Sequence, residues 1–359
     1  MKCGLGANLP VNYVRINTRD GRLKLLVTGG CGFIGSNFIR WLLQARPDAS
    51  VTNLDLLTYA GNPENLADIE HHPRYKFVRG SINDPDLVDR LAEGSDGILH
   101  FAAESHVDRS LYGPLEFVKT NVEGTTVLLE AARRKKVRRF LLVSTDEVYG
   151  SLPETGVFVE TTPLAPSSAY SASKAGSDLM TLAYRRTFGL DVVITRGSNN
   201  YGPYQYPEKF VPLFITNALE GRECPLYGDG LNVRDWLHVL DHGKGIWAAF
   251  EKGRAGEAYN LGGGNERQNL QVAQAVLAAC GRTESLIKFV QDRPGHDRRY
   301  ALDASKARRD LGWSPEVPFE KGLLETVAWY KGNPGWVARV KSGEYRNYYE
   351  KHYGNAVKS

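Results

Sequence analysis

Long apolar runs are missing from this chain of 359 residues. No stretch approaches the ~18–20 uninterrupted apolar residues that a membrane helix needs, and Gly, Arg or Asp interrupts the longest runs. Cysteine is scarce. The four, Cys3, Cys31, Cys224 and Cys280, are scattered and form no C-x-x-C pair, which excludes a disulfide framework and a cysteine zinc site. No metal is expected. Charge of one sign is not in excess: the formal net charge is +4, and the basic cluster Arg133-Arg134-Lys135-Lys136-Val137-Arg138-Arg139 is local rather than a tail. That argues against nucleic acid as the main partner and leaves an anionic small molecule open. Repeats and low-complexity segments are absent. The first 22 residues contain no apolar core of about 7 residues and so do not read as a secretory signal. A loose extension on a soluble protein of a reducing cytoplasm is the expectation, with no membrane partner.

What is present is a globular composition, 42% hydrophobic and 24% charged, which excludes disordered and fibrous classes. At about 150 residues per domain, the length fits two domains, or one large unit with a smaller lobe. Short apolar runs recur, each followed by a turn and a helical stretch. Strands are read at 24–28, 50–54, 75–78, 97–101, 140–144 and 191–195. Helices are read at 33–45, 114–134 and 169–188. This alternation predicts an α/β fold with a parallel sheet covered on both faces. Ligands are then expected outside the carboxyl ends of the strands. Beyond residue 196 the alternation loosens, and Gly and Pro become frequent. We expect 23–195 to form a dinucleotide-binding domain to which the chain returns near 235–262. The rest of 196–345 forms a smaller, discontinuous lobe for substrate, and 346–359 is a tail.

The first strand runs into Thr28-Gly29-Gly30-Cys31-Gly32-Phe33-Ile34-Gly35. Gly29, Gly32 and Gly35 permit a tight strand-to-helix turn and let a pyrophosphate reach the amides at the helix start. A glycine pattern is also what any tight turn uses, but this one stands at the strand–helix junction. Asp55 ends the second strand, 20 residues beyond Gly35. A carboxylate there accepts from a ribose diol and repels a 2′-phosphate, favouring NAD over NADP; otherwise it is a solvated strand end. Together these features read as a Rossmann-type, doubly wound parallel sheet.

Tyr170 and Lys174 are spaced i, i+4 and share a helix face. An ammonium beside the phenol is expected to lower its pKa, giving a base for a sugar hydroxyl. The pattern is common by chance and gains weight only beside the glycine loop. The fifth strand ends in Thr145-Asp146-Glu147. Thr145 can hydrogen-bond the hydroxyl that Tyr170 deprotonates. Two adjacent acids at a strand end are unusual; a helix cap with a solvated neighbour is the alternative.

These features resemble the extended short-chain dehydrogenase/reductases. Within them, four motifs resemble the dTDP-glucose 4,6-dehydratase family. They are 102–110 (AAESHVDRS), 145–150 (TDEVYG), 198–205 (SNNYGPYQ) and 293–300 (RPGHDRRY), and the likeness runs from about residue 24 to 348. It implies NAD as cofactor, dTDP-glucose as substrate and a homodimer paired through 114–134 and 169–188. The implied chemistry is C4 oxidation by Tyr170, loss of water across C5 and C6 with Glu147 as base and Asp146 as acid, and hydride return to C6. It also implies an NAD site lined by Phe33, Ile34, Asp55, Leu56, Leu57, Thr58, Ser81, Ile82, Ala102, Ala103, Glu104, Ser105, Thr120, Tyr170, Lys174 and Asn200. The nucleotide-sugar site would comprise His106, Thr145, Asn199, Glu208, Lys209, Pro225, Tyr227, Arg234, Asn269, Arg293, His296 and Tyr300. Arg234 neutralises a diphosphate in this reading; it has Asp235 as an alternative partner, and Tyr300 has the core.

Two positions depart from the family pattern. Ser81 stands where the family usually has Asp, so the adenine contact loses a charge. Gly197 replaces a larger residue, to no predicted effect. A nucleotide-sugar 4-epimerase or decarboxylase, a 4,6-dehydratase acting on UDP-glucose and a non-catalytic NAD-binding protein are the competing readings. The resemblance weighs the Thr-Asp-Glu triplet against the epimerases and decarboxylases. The intact Tyr170, Lys174 and acids weigh against a non-catalytic protein.

Overall fold

The computed structural model describes residues 21–293 and 295–342; the expected extension, apart from its last two residues, and the expected tail lie outside them. Seven strands form one sheet: β1 (Leu23–Thr28), β2 (Ala49–Asp55), β3 (Tyr75–Arg79), β4 (Gly97–His100), β5 (Arg139–Thr145), β6 (Val192–Gly197) and β10 (Glu257–Leu261). Their order is β10-β6-β5-β4-β1-β2-β3, and every pair is parallel. Three shorter strands, β7 (Asn199–Tyr201), β9 (Val233–His238) and β11 (Glu266–Gln268), form a second sheet, while β8 (Cys224–Tyr227) pairs with β12 (Ile287–Val290). Only the end of the 235–262 stretch thus enters the large sheet; β9 centres the small one.

Alternate residues of β1 show why the large sheet is buried on both faces. Leu25 and Val27 pack on one side with Phe38, Leu42, Leu141 and Phe250. Leu26 packs on the other with Ile98, Leu128, Leu142 and Ile194. Each such side chain contributes about 1.5–3 kcal/mol on burial, against about 0–1 kcal/mol for an exposed ion pair. Burial of both faces, not surface ion pairing, therefore dominates the stability of the large sheet.

The helices are α1 (Phe33–Ala45), α2 (Pro85–Ala92), α3 (Val107–Ser110), α4 (Pro114–Phe117), α5 (Thr125–Arg134), α6 (Ala169–Phe188), α7 (Phe210–Glu220), α8 (Val239–Lys252), α9 (Asn269–Cys280), α10 (Ser305–Leu311), α11 (Phe319–Gly332) and α12 (Pro334–Val340). The helix expected over 114–134 is continuous, but its middle is wound differently. Val118–Gly124 between α4 and α5 is wound as a π-helix. There Asn121 exchanges hydrogen bonds with the Glu104 backbone and donates to Ser173 Oγ at 2.8 Å. Its carbonyl takes the hydroxyls of Thr125 and Ser177. Side-chain partners on three other segments compensate for the altered winding and tie it to the site.

Candidate active site

At the carboxyl ends of the strands lies a cleft of about 350 Å³. Gly29 closes the first turn with φ +73°, and a Cβ there would stand 2.5 Å from the amide nitrogen of Ala102. A Cβ on Gly35 would strike the carbonyl of Gly29. No side chain caps α1 at Gly32, so its first amides face the cleft without a side-chain acceptor from the chain. Asp55 Oδ2 accepts from Cys31 N at 2.9 Å and Oδ1 from Leu57 N at 2.8 Å. Burial pushes this carboxyl up, and the two amides partly restore it. The pattern fits a pyrophosphate against the amides and a ribose against Asp55.

The cleft is lined by Gly29, Gly32, Phe33, Ile34, Gly35, Asp55, Leu56, Thr58, Ser81, Ile82, Ala102, Ala103, Glu104, Ser105, Thr120 and Asn200. Leu57 is a correction. It does not line the cleft; its backbone is left-handed, at φ 60°, and its side chain packs against the core beneath α1. Ser81 lines the cleft, but its hydroxyl already accepts from Asn83 N at 3.1 Å. Asn83 lines the cleft too, a neighbour that the sequence reading missed.

Thr145 ends β5, and Asp146–Tyr149 continues as a 3-10 turn. Thr145 Oγ1 donates to Asp146 Oδ1 at 3.2 Å and accepts from Glu147 N at 3.3 Å. The two acids have different surroundings. Asp146 is 2% exposed, and its Oδ2 is buried with no hydrogen-bond partner among the described residues. Burial, then Glu147 and Asp235, hold its carboxyl well above the usual range. Burial also raises Glu147, but Arg293, Lys209 and Arg234 all pull it down. The neutral form is therefore favoured more at Asp146 than at Glu147, whose burial three cations offset.

A capping box of Ser168 and Ser171 starts α6 and places Tyr170 and Lys174 on the cleft. The expected fall in the Tyr170 pKa does not occur. Burial, then the charge of Glu147, pushes the phenol up. Lys174 donates to the Val143 carbonyl at 2.8 Å, and burial lowers it to about 8. The ammonium is thus held by a backbone oxygen and weakened by desolvation.

On the sugar side, Asn199, Glu208 and Lys209 line the same cleft as Thr145, Asp146, Glu147, Tyr170 and Lys174. Eight expected residues do not line it: His106, Pro225, Tyr227, Arg234, Asn269, Arg293, His296 and Tyr300. Most of them form a linked bank beside it. Arg234 donates to the Asp297 carbonyl at 2.8 Å and lies 4.3 Å from the centroid of the Tyr300 ring. Asp235 is not its partner, since that carboxylate takes the amides of Gly263 and Asn265. Tyr300 is both core and neighbour of the site: it packs with Val148, Tyr149 and Phe158 and donates to Asp297 Oδ2. Arg293 Nη1 lies 3.5 Å from Asp108 Oδ1, and Tyr227 donates to Asp108 Oδ2 at 3.2 Å. The His296 ring stands 6.0 Å from the Tyr227 ring. His106 Nε2 is 3.9 Å from Glu208 Oε1, and burial holds it far below the usual histidine range. Two residues stand apart: Pro225 is buried within β8, and Asn269 opens α9 with its amide on the Asn232 carbonyl.

His242 was not anticipated. It lines the cleft, and its Nδ1 lies 2.9 Å from Asn200 Oδ1. Asn200 Nδ2 donates to the Ser198 carbonyl, so Oδ1 is the atom facing the ring and Nδ1 must carry the proton. A Cβ on Gly197 would lie 2.5 Å from His242 Nε2. This glycine, expected to have no effect, is what admits the ring. Gln205 and Tyr206 also line the cleft; the only signal for them was their place in or beside the 198–205 motif.

The family model described as GDP-mannose 4,6 dehydratase matches residues 26–326. The chain is 54% identical over 324 residues to the dTDP-glucose 4,6-dehydratase of Streptomyces niveus, covering 89% of this chain and 96% of that protein. It is 48% identical over 361 residues to that of Shigella flexneri, covering 92% and 99%. A solved dTDP-glucose 4,6-dehydratase from Streptomyces venezuelae with NAD bound matches with a TM-score of 0.87 and 54% identity, over 89% of this chain and 100% of that one. The UDP-glucose 4-epimerase of Thermus thermophilus in complex with NAD also matches, with a TM-score of 0.80 and 33% identity, over 87% and 100%. The fold is therefore shared with epimerases, and the higher identity lies with the dehydratases. This chain belongs to the dTDP-glucose 4,6-dehydratase family of the extended short-chain dehydrogenase/reductases.

Proposed function

We propose that the chain converts dTDP-glucose to dTDP-4-keto-6-deoxyglucose as an NAD-dependent hydro-lyase. The glycine cradle, the open start of α1 and Asp55 fit NAD. NAD held there would supply the hydride acceptor for C4 and the donor for C6, with positive charge on its oxidised ring. Tyr170 acts as base only as the phenolate, which burial and Glu147 disfavour and the positive charge of a bound oxidised nicotinamide would favour. Its Oη then accepts the proton of the C4 hydroxyl, with Thr145 Oγ1 beside it. The new C4 ketone acidifies C5, and Glu147 removes that proton. Asp146 gives its proton to the C6 hydroxyl, which leaves as water. Glu147 then returns the proton to C5. The proton gained at Tyr170 balances the one lost at Asp146, and Thr145 Oγ1, bonded to Asp146, lies between the two groups. Lys174 orients the phenol side of the site from its bond to Val143.

The observation that carries this reading is the difference between the two carboxyl environments: burial with Glu147 and Asp235 raises Asp146 against Arg234 alone, while Arg293, Lys209 and Arg234 together offset the burial of Glu147. An elimination that needs an acid and a base side by side at neutral pH needs this division. The bank of Arg234, Arg293 and Lys209 supplies positive charge for a diphosphate. A homodimer is proposed through α4, α5 and α6, whose Leu115, Leu179 and Phe188 are exposed by 78%, 58% and 52%; isologous pairing is the commonest way to cover such a face. No helix among the described residues is long and apolar enough to cross a membrane, and we place the protein in the cytoplasm. The test is incubation with dTDP-glucose and, in parallel, UDP-glucose, followed by alkali and absorbance of the 4-keto-6-deoxy product. Formation from the thymidine nucleotide is expected. A C4-epimerised sugar with no keto product would overturn the reading.

A further inference from the structure

Two loops flank the cleft, and apart from Lys209 at the end of the second no chemical step above draws on them. One, residues 56–62, follows β2; the other, 202–209, precedes α7. Leu56, Thr58, Ala60 and Gly61 line the cleft from the first loop, and Gln205, Tyr206, Glu208 and Lys209 from the second. The loops meet at one place. The rings of Tyr59 and Tyr206 stand 5.9 Å apart at 81°, edge to face. The Arg109 guanidinium lies 3.8 Å from the centroid of the Tyr59 ring, and its Nε donates to Glu208 Oε2 at 3.2 Å. Arg109 therefore joins the first loop to the second a second time.

Each loop also carries a left-handed residue that is not glycine, two positions before its tyrosine: Leu57 at φ 60° and Tyr204 at φ 67°. Such backbones persist only where their surroundings hold them. Leu57 is held by its amide on Asp55 Oδ1. Tyr204 is held between Arg40, 4.6 Å from its ring, and Trp329, at 4.5 Å. Both tyrosines are thus delivered to the contact by fixed turns. The reaction removes and returns one hydride within a turnover, so a dinucleotide that leaves midway strands an oxidised sugar. A closure that retains it answers that need.

We infer that Tyr59 and Tyr206, with Arg109 as the second strap, form a clasp across the two loops that slows exit of the dinucleotide. The inference rests on the functional reading above for the presence of NAD. Tyr59 and Tyr206 are positioning residues here, because neither meets the reacting atoms.

The experiment measures dissociation of the dinucleotide from the purified protein by displacement with excess fluorescent etheno-NAD. The variants are Tyr59→Leu, Tyr206→Leu, the double variant and Tyr59→Phe, which keeps the ring. An edge-to-face pair predicts dissociation about 3- to 10-fold faster in each leucine variant. One clasp predicts that the double variant is no faster than the faster single and that Tyr59→Phe, which keeps the ring and loses only the hydroxyl's bond to Ser105, is slower than Tyr59→Leu. In turnover, the leucine variants release reduced dinucleotide into solution and the parent does not. Tyr206→Leu decides the question from the second loop if Tyr59→Leu does not fold. Unchanged rates in the single variants, multiplied effects in the double, or a Tyr59→Phe variant as fast as Tyr59→Leu would overturn the clasp. Failure of the parent to convert dTDP-glucose overturns the functional reading alone, because the displacement rates need no sugar. Failure to bind a dinucleotide at all overturns both.

Discussion

The two walls of the cleft are built differently. The dinucleotide wall is made of strand ends and the turns that leave them, with contacts dominated by backbone: Gly29 against Ala102, Asp55 on the amides of Cys31 and Leu57. The sugar wall is made of charged side chains drawn from distant segments, Lys209 after β7, Arg234 on β9 and Arg293 after β12. Asp146 and Glu147 sit at the seam. Burial raises both; neighbouring acids raise Asp146 further, while the cations of the sugar wall offset part of the rise at Glu147. The lesson is that two adjacent carboxyls take on different environments not from their own chemistry but from which wall each side chain meets.

The largest expected effects break the seam itself. Glu147→Gln removes the C5 base, and general acid–base groups contribute about 10²–10⁴-fold. The elimination should fall by that factor while the first oxidation persists, read as reduced dinucleotide that accumulates on the enzyme in a single turnover. Tyr170→Phe should instead abolish that signal. On the dinucleotide wall, Gly29→Ala places a methyl 2.5 Å from the Ala102 amide on a backbone of φ +73°. Strain of about 1–3 kcal/mol at such a site corresponds to roughly 5- to 150-fold weaker NAD binding, read by calorimetry or fluorescence titration.

That asymmetry between the walls is also why the sequence was legible to different depths. Glycine spacing, apolar alternation and the Asp55 position are local signals, and they located the large sheet and most of the dinucleotide wall. Leu57 escaped because a left-handed turn reverses one side chain within a run of lining residues. His242 escaped because its role depends on a space left by Gly197, 45 positions earlier. The π-winding at Val118–Gly124 was invisible to a helical period, since its compensation comes from Glu104, Ser173 and Ser177. The Tyr170 shift failed for a similar reason: i, i+4 spacing places Lys174 on the right face but says nothing of burial or of the Val143 carbonyl.

Smaller effects sharpen the contrast. Arg293→Met removes the first of the cations that lower Glu147. The acid limb of the pH–rate profile should move up, because a base with a higher pKa is protonated over a wider range. An unchanged limb would mean that Arg293 does not act on the base. The smallest effect concerns stability. Burial raises Glu208 to about 7 from 4.5. A group raised in the folded state favours folding below its unfolded pKa, and that contribution is lost as pH rises through the folded one. Glu208→Gln should therefore gain in Tm relative to the parent between about pH 4.5 and 7, followed by thermal melts across that window.

The central claim is that Asp146 is the acid and Glu147 the base. The most direct measurement compares the Asp146→Asn and Glu147→Gln variants on dTDP-glucose and on its 6-fluoro analogue, whose fluoride leaves with little protonation. The account predicts that the analogue restores much of the rate to Asp146→Asn and none to Glu147→Gln. Equal rescue of both variants, or rescue of neither, would contradict the assignment.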